Sequence, residues 1–287
     1  MATGGSIVDA HHHVWDLDVR DPAWLRDPRL AGIHRTFTVD HLRPLAEAAG
    51  VRATVLVQTV ALPDETDELL AIAADDDLVA GVVGWVDLTA ADVGDRLAAL
   101  LEGRHGGGLR GVRHLVQDEP DDDWLARSEV LRGLRAVDEA GLTYDLLTVP
   151  RQLPAAVRAA ASTPGLVFVL DHCSKPPVAA GRLEPWAHQV RELAALPNVV
   201  CKLSGLVTEA APDWTVADLR PYADVVLDAF GPRRLMVGSD WPVCLLAAGY
   251  DGVIGAALDL IEGLRPVERA EVLAGTASRV YRLPAAP

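Results

Sequence analysis

The chain has 287 residues, half of them hydrophobic, with 26 lysines and arginines against 41 aspartates and glutamates, for a net charge of −15. That charge argues against nucleic acid or an anionic membrane surface as a partner, and no apolar run approaches membrane-spanning length. Three widely spaced cysteines, Cys173, Cys201 and Cys244, read as reduced thiols and not as a disulfide framework. With an N-terminus lacking signal-peptide character, they predict a cytoplasmic protein.

The first apolar segment, Ile7-Val8, runs into Asp9-Ala10-His11-His12-His13. Strand alternation predicts His11 and His13 on one face, Asp9 deeper on the same side, and His12 opposite. Two imidazoles at a strand end can address one small target, either a metal ion or a polarised carbonyl oxygen. A purification tag would be longer and would lack the flanking Ile-Val-Asp and Val-Trp-Asp. The irregular stretch over about 14–37 is placed to act as a lid or wall over this strand end.

A rhythm of helices and strands then begins. Asp40 is expected to cap a helix closed by Gly50, followed by a strand over 53–57 that ends at Gln58. A helix over 65–74 leads to a strand over 82–86 carrying Trp85, and a helix over 93–101 to a strand over 109–115 carrying Arg113 and His114. The next helix is capped by Ser128 and ended by Gly141. The strand over 142–147 holds Tyr144 and Asp145. After a helix over 153–161, the strand over 166–170 runs into Asp171-His172. A helix over 186–196 precedes the strand over 199–203, with Lys202 inside it and Ser204 after it. The last pair is a helix over 219–230 and a strand over 235–238 leading into Ser239-Asp240-Trp241-Pro242.

Apolar strands alternating with helices mean a parallel sheet buried on both faces. Eight such units predict an α/β protein, a single-domain (β/α)8 TIM barrel spanning 1–287. An open doubly wound sheet is the alternative, but no glycine-rich phosphate fingerprint follows the first strand. In a barrel the strands end at one rim, so distant polar residues converge there. His11, His13, Gln58, Trp85, Arg113, His114, Tyr144, Asp145, His172, Lys202, Ser204 and Asp240 all lie at such ends. Polar groups are costly there unless paired, so the collection reads as a site. Cys173 beside His172 raises a Cys–His nucleophile, yet neighbours on a strand end point apart. Trp15, Trp24, Trp85 and Trp241 are core residues or rings for a sugar to stack on.

The motifs Asp9-Ala-His11-His-His13, Leu170-Asp171-His172 with Lys175-Pro176, and Gly238-Ser239-Asp240-Trp241-Pro242 resemble the amidohydrolase superfamily. More narrowly, the chain resembles its lactonase branch, which includes L-fuconolactonases, L-rhamnonolactonases and 2-pyrone-4,6-dicarboxylate lactonases. Gly111-Val-Arg113-His114 and Cys201-Lys202-Leu-Ser204-Gly205 through Glu209 strengthen the sugar-lactonase side. The resemblance spans nearly the full chain and implies hydrolysis of a sugar-derived aldonolactone. An ester ring needs an activated water, an electrophile at the carbonyl oxygen and a proton for the leaving alkoxide. Asp240 is the expected base, with His11, His13 and His172 stabilising the oxyanion. Gln58, Trp85, Arg113, His114, Tyr144, Lys202 and Trp241 are the expected substrate-binding residues.

The resemblance also allows a divalent ion, zinc by its donors, on His11, His13 and Asp240, without requiring one. The fifth strand ends in Tyr144-Asp145 and the fourth in Arg113-His114, where many amidohydrolases add a histidine or a lysine. A zinc-dependent decarboxylase of an aromatic or unsaturated acid is the alternative, and the absent histidine counts against it. The expected partner is a small sugar lactone, with homo-oligomerisation left open.

Overall fold

The computed structural model describes residues 6–284. Eight strands lie in sequence order in one parallel sheet: β1 (Ile7–His12), β2 (Val51–Val57), β3 (Val79–Gly84), β4 (Leu109–His114), β5 (Thr143–Leu146), β6 (Phe168–Leu170), β7 (Val199–Leu203) and β8 (Leu235–Val237). Helices α1 (Val39–Ala48), α2 (Pro63–Asp75), α3 (Val93–Glu102), α4 (Ser128–Glu139), α5 (Leu153–Ser162), α6 (Trp186–Ala194), α7 (Val216–Phe230) and α8 (Tyr250–Leu260) follow the strands in turn. This is the (β/α)8 barrel expected from the strand rhythm. Among the described residues no helix is long and apolar enough to cross a membrane.

Strand parity separates two cores. Phe168, Leu170, Val199, Cys201, Leu203, Leu235 and Val237 face the helices, where they join the large outer cluster. Val169, Val200 and Met236, with Val8, Val55, Val57 and Val83, fill the barrel interior. The segment after α8 closes the base, sending Ala277 and Tyr281 into that inner cluster.

The seam between the last strand and the first is closed by residues of the rim itself. The Asp240 amide donates to the His11 carbonyl (2.8 Å), and the His13 amide to the Trp241 carbonyl (2.7 Å). Barrel closure therefore fixes Asp240 against the two histidines through backbone bonds, before any side chain is considered.

Two local expectations are corrected. Asp40 does not cap α1: the helix begins at Val39, and the N–H of Thr38 donates to His41 Nδ1 (3.1 Å). Ser128 is the first residue of α4, not its cap.

Asp9 does not share a face with His11. Between Asp9 and His12 the chain advances three residues while β2 advances two, from Thr54 to Leu56. One extra residue in one strand is a bulge, and it breaks strict alternation. Ala10 and His11 consequently both turn inward. Asp9 lies on the helix side, where its carboxylate accepts from the Ser239 amide (2.8 Å), the Ser239 hydroxyl (2.6 Å) and the Tyr250 hydroxyl (3.0 Å). Its role is to pin β1 to the turn after β8 and to α8. The bulge lets the chain keep that buried anchor and still present both histidines to the interior.

Candidate active site

His11, His13, His172 and Asp240 meet at the C-terminal rim, beneath a cavity of about 950 Å3 that His13, Arg113, His172 and Asp240 help to line. His11 Nε2 lies 3.2 Å from His13 Nε2. Asp240 Oδ1 is 3.4 Å from His13 Nε2 and 3.7 Å from both His11 Nε2 and His172 Nε2. One carboxylate oxygen thus faces three imidazoles.

Each imidazole has a second partner. His13 Nδ1 meets the Val57 carbonyl at 2.7 Å. A carbonyl only accepts, so the His13 proton sits on Nδ1 and the Nε2 lone pair faces the site. His172 Nδ1 bonds the Ser204 hydroxyl at 2.9 Å, which turns its Nε2 toward Asp240.

His172 depends on an unusual backbone. Residues His172, Cys173, Ser174 and Lys175 all have φ between 50° and 57°, a left-handed run that costs about 1–2 kcal/mol per residue. Several bonds hold it. Trp186 Nε1 donates to the Cys173 carbonyl (2.7 Å), Lys175 N to the His172 carbonyl (2.8 Å), and Ser174 pairs with Thr148 (2.8 Å). The run reverses the chain at the end of β6, bringing both His172 and Lys175 to the cavity. Asp240 is left-handed as well, with φ 58°. Strain of this kind persists only where surrounding structure over-determines it.

Beneath the histidines lies a layer of buried charge. Lys202 Nζ sits 2.6 Å from Asp145 Oδ2, 3.0 Å from Asp171 Oδ1 and 3.1 Å from His11 Nδ1. Arg113 donates to Asp171 Oδ2 (2.9 Å), to the Gln58 side chain through Nε (3.2 Å) and to the Gln58 carbonyl (2.5 Å). Two cations and two carboxylates balance, so the barrel interior carries no uncompensated charge here.

Burial pushes His172 down to about 4 despite the pull of Asp240. Burial followed by the Lys202 charge drives His11 well below the ordinary range. Burial alone would raise Asp240, but His172, the His13 contact and His11 outweigh it and hold the carboxyl below the usual range. At neutral pH the arrangement sets an ionised Asp240 beside neutral His11 and His172.

Several expected substrate contacts lie elsewhere. Tyr144 is fully buried on the helix side of β5, edge-on to Phe168. Strand parity sends Asp145 inward instead. Lys202 and Gln58 are fully buried in the charge layer beneath the imidazoles. Trp85 donates to His114, which pairs with Glu119 and stacks on Trp124 at 4.3 Å, outside the cavity lining. Trp241 packs against Phe37 in the outer core, and Trp15 against Trp24 and Phe37. Cys173 directs Sγ at the Lys202 carbonyl, away from the cavity, so it forms no pair with His172. Of the expected substrate contacts only Arg113 lines the cavity, joined by Trp24 among the tryptophans.

The sequence reading missed Thr59, Gln117, Thr208 and Glu209 as lining residues, and Lys175 as one of them. They sit on loops, which carry no periodic signal. Asp171 was also missed as a site residue, although strand parity could have found it: Leu170 faces outward, so the next residue turns in.

The donor set fits a divalent metal. His11, His13 and Asp240 offer two nitrogens and one oxygen spaced 3.2–3.7 Å apart. Ligands about 2.0–2.1 Å from zinc at tetrahedral angles stand roughly 3.3–3.4 Å from one another. The His13–Val57 bond also supplies the outer contact that orients a metal-binding imidazole.

An amidohydrolase family model matches residues 8–283. The chain belongs to the amidohydrolase family. An L-fucono-1,5-lactonase from Burkholderia ambifaria is 42% identical over 281 residues, covering 96% of this chain and 95% of the relative. An amidohydrolase structure from Burkholderia multivorans with bound zinc superposes with a TM-score of 0.91 at 42% identity, covering 97% of this chain and 100% of that one. A 2,6-dihydroxybenzoate decarboxylase structure reaches a TM-score of 0.66 at 14% identity, covering 98% of this chain and 99% of that one, which shows a shared fold alone. Within its family this amidohydrolase falls in the lactonase branch.

Proposed function

We propose that this amidohydrolase opens the ester ring of a sugar-derived aldonolactone, of the kind its Burkholderia relatives are named for, to the hydroxy acid. The observation that carries the reading is Asp240, whose Oδ1 lies within 3.7 Å of three imidazole nitrogens at the floor of a substrate-sized cavity. Its carboxylate takes a proton from water as the water oxygen bonds to the lactone carbonyl carbon. The carbonyl oxygen becomes an oxyanion, stabilised by His172 and His11. Collapse breaks the bond to the ring oxygen, and Asp240 returns the proton to that oxygen.

A divalent ion on His11, His13 and Asp240, zinc by the donor set, would add Lewis acidity toward the carbonyl oxygen. The segment over 14–37 serves as a wall of the site: Trp24, Arg26, Arg29 and Leu30 border the cavity. Free thiols at Cys173, Cys201 and Cys244 suit a cytoplasmic enzyme.

The test is acid release from a panel of aldonolactones, with and without chelator. Turnover of six-membered lactones of deoxy or simple hexoses is expected, retained in part under chelation. No acid from any lactone, together with carbon dioxide release from an aromatic acid, would replace this reading with the decarboxylase one. Trp24→Ala should raise KM several-fold with kcat less affected, since a stacking ring contributes about 1 kcal/mol or more of binding. An unchanged KM would remove Trp24 from substrate recognition.

A further inference from the structure

The Lys202 ammonium has three N–H groups and three acceptors within reach: Asp145 Oδ2, Asp171 Oδ1 and His11 Nδ1. An ammonium donates and never accepts. Accepting from Lys202 at 3.1 Å needs a lone pair on His11 Nδ1 and puts the proton of the neutral ring on Nε2; the other arrangement, an Nδ1–H toward Asp171 Oδ1, would span 3.4 Å. Nε2 is the nitrogen facing His13 and Asp240.

We propose that Lys202 is a positioning residue that holds His11 in the Nε2–H form, so that His11 serves as a hydrogen-bond donor and a divalent ion must disrupt this arrangement to bind. The inference rests on the proposed function only for the use made of that donor. The two histidines of the His-x-His motif then carry opposite tautomers. His13 has its proton on Nδ1, fixed by the Val57 carbonyl. A donor nitrogen on His11 faces an acceptor nitrogen on His13 at 3.2 Å. Of the two histidines, only His13 then presents a lone pair to the site.

A second cation contests the ring from the other side. Arg113 Nη1 lies 3.2 Å from His11 Nε2, and a bond there would call for a lone pair on Nε2. A neutral imidazole has one lone pair and can satisfy only one of the two cations. Arg113 has other acceptors: Asp171 Oδ2, the Gln58 carbonyl and Gln58 Oε1. Four of its five N–H groups are taken by these acceptors without the ring. Lys202 is wholly enclosed and has no fourth acceptor. The ring must therefore answer Lys202.

Lys202 is held in turn from the barrel base. Tyr281, in the closing segment, donates its hydroxyl to Asp145 Oδ2 at 2.7 Å, and its ring lies 5.4 Å from Lys202 Nζ. The chain Tyr281–Asp145–Lys202–His11 thus runs from the base of the barrel to its rim.

The direct test needs no variant and no substrate. Long-range proton–nitrogen spectra of 15N-histidine-labelled, metal-free protein report which ring nitrogen of His11 is protonated, with assignment by loss of its signals in His11→Asn. Nε2–H is expected for His11 and Nδ1–H for His13. Saturation with zinc should move the His11 proton to Nδ1. A metal-free His11 already protonated on Nδ1 would overturn the proposal.

Removing Lys202 alone would strand Asp145, so the paired variant is Asp145→Asn/Lys202→Met. It deletes one charge of each sign and leaves Asp171 with Arg113. In this variant zinc affinity, measured by chelator competition, should rise about 10-fold and metal-free kcat fall about 10-fold, the scale on which the partners of a ligating histidine act. A folded double variant with unchanged zinc affinity would refute the competition. Both readouts of the ring and of zinc stand whether or not the natural substrate is a lactone.

Discussion

Replacing Asp240 by asparagine is expected to lower kcat by at least ~10²-fold, the lower range for a positioned acid–base group. Asparagine keeps the shape and the backbone bond from the Asp240 amide to the His11 carbonyl, so barrel closure is retained. What is lost is a carboxylate oxygen within 3.4–3.7 Å of three imidazole nitrogens. KM should change little, because the same side-chain volume remains at the cavity floor. The pH profile provides an independent check. Asp240 is held below the usual carboxylate range, and His172 is pushed down to about 4. Groups with lowered pKa stay deprotonated as the pH falls, so wild-type kcat should remain flat from neutrality and decline only on approach to about pH 4. An acid limb near the ordinary histidine value of about 6.5 would assign the chemistry to an unperturbed imidazole. Near-wild-type turnover in Asp240→Asn would move the base elsewhere, with His172 next in line.

The second large effect is expected from a glycine that touches no substrate. Gly205 has φ +66°, and a Cβ there would lie 2.7 Å from Cβ and Cγ of His172 and 2.8 Å from its Nδ1. Gly205→Ala therefore adds left-handed strain of about 1–2 kcal/mol and forces the ring away from Ser204. His172 has little freedom to yield, because its own left-handed run is bonded to Trp186 and Thr148 through the next two residues. A displacement approaching 1 Å at a reacting group costs on the order of 10²-fold in rate. We expect kcat to fall on that scale, while urea denaturation shows a loss of about 2–5 kcal/mol, the strain together with the overpacking against the ring. Wild-type kcat in a folded Gly205→Ala protein would show that the orientation of His172 does not matter to the reaction.

Much of this site was legible from motifs at strand ends, because a parallel barrel brings all those ends to one rim whatever the details of packing. His11, His13, His172 and Asp240 needed only that topology to be placed together. The substrate contacts were less legible. Tyr144 and Lys202 each sit within a strand, and which face a strand residue occupies depends on register. A one-residue difference sends Tyr144 to the helices and Asp145 to the interior.

The amino-acid sequence by itself determined the eightfold alternation, the single barrel and the convergence of the histidines with Asp240, since hydrophobic period and strand polarity are local properties of the chain. Only the tertiary structure decided that Asp9 is an anchor to Ser239 and Tyr250, because a bulge in β1 cancels the expected parity. It also decided that Lys202 lies under His11 and outside the cavity lining, and that the cavity wall comes from Trp24, Lys175 and Glu209 on separate loops. These are relations between segments up to 241 residues apart. They are fixed by how layers pack and how buried charges find partners, which no periodicity within one segment records.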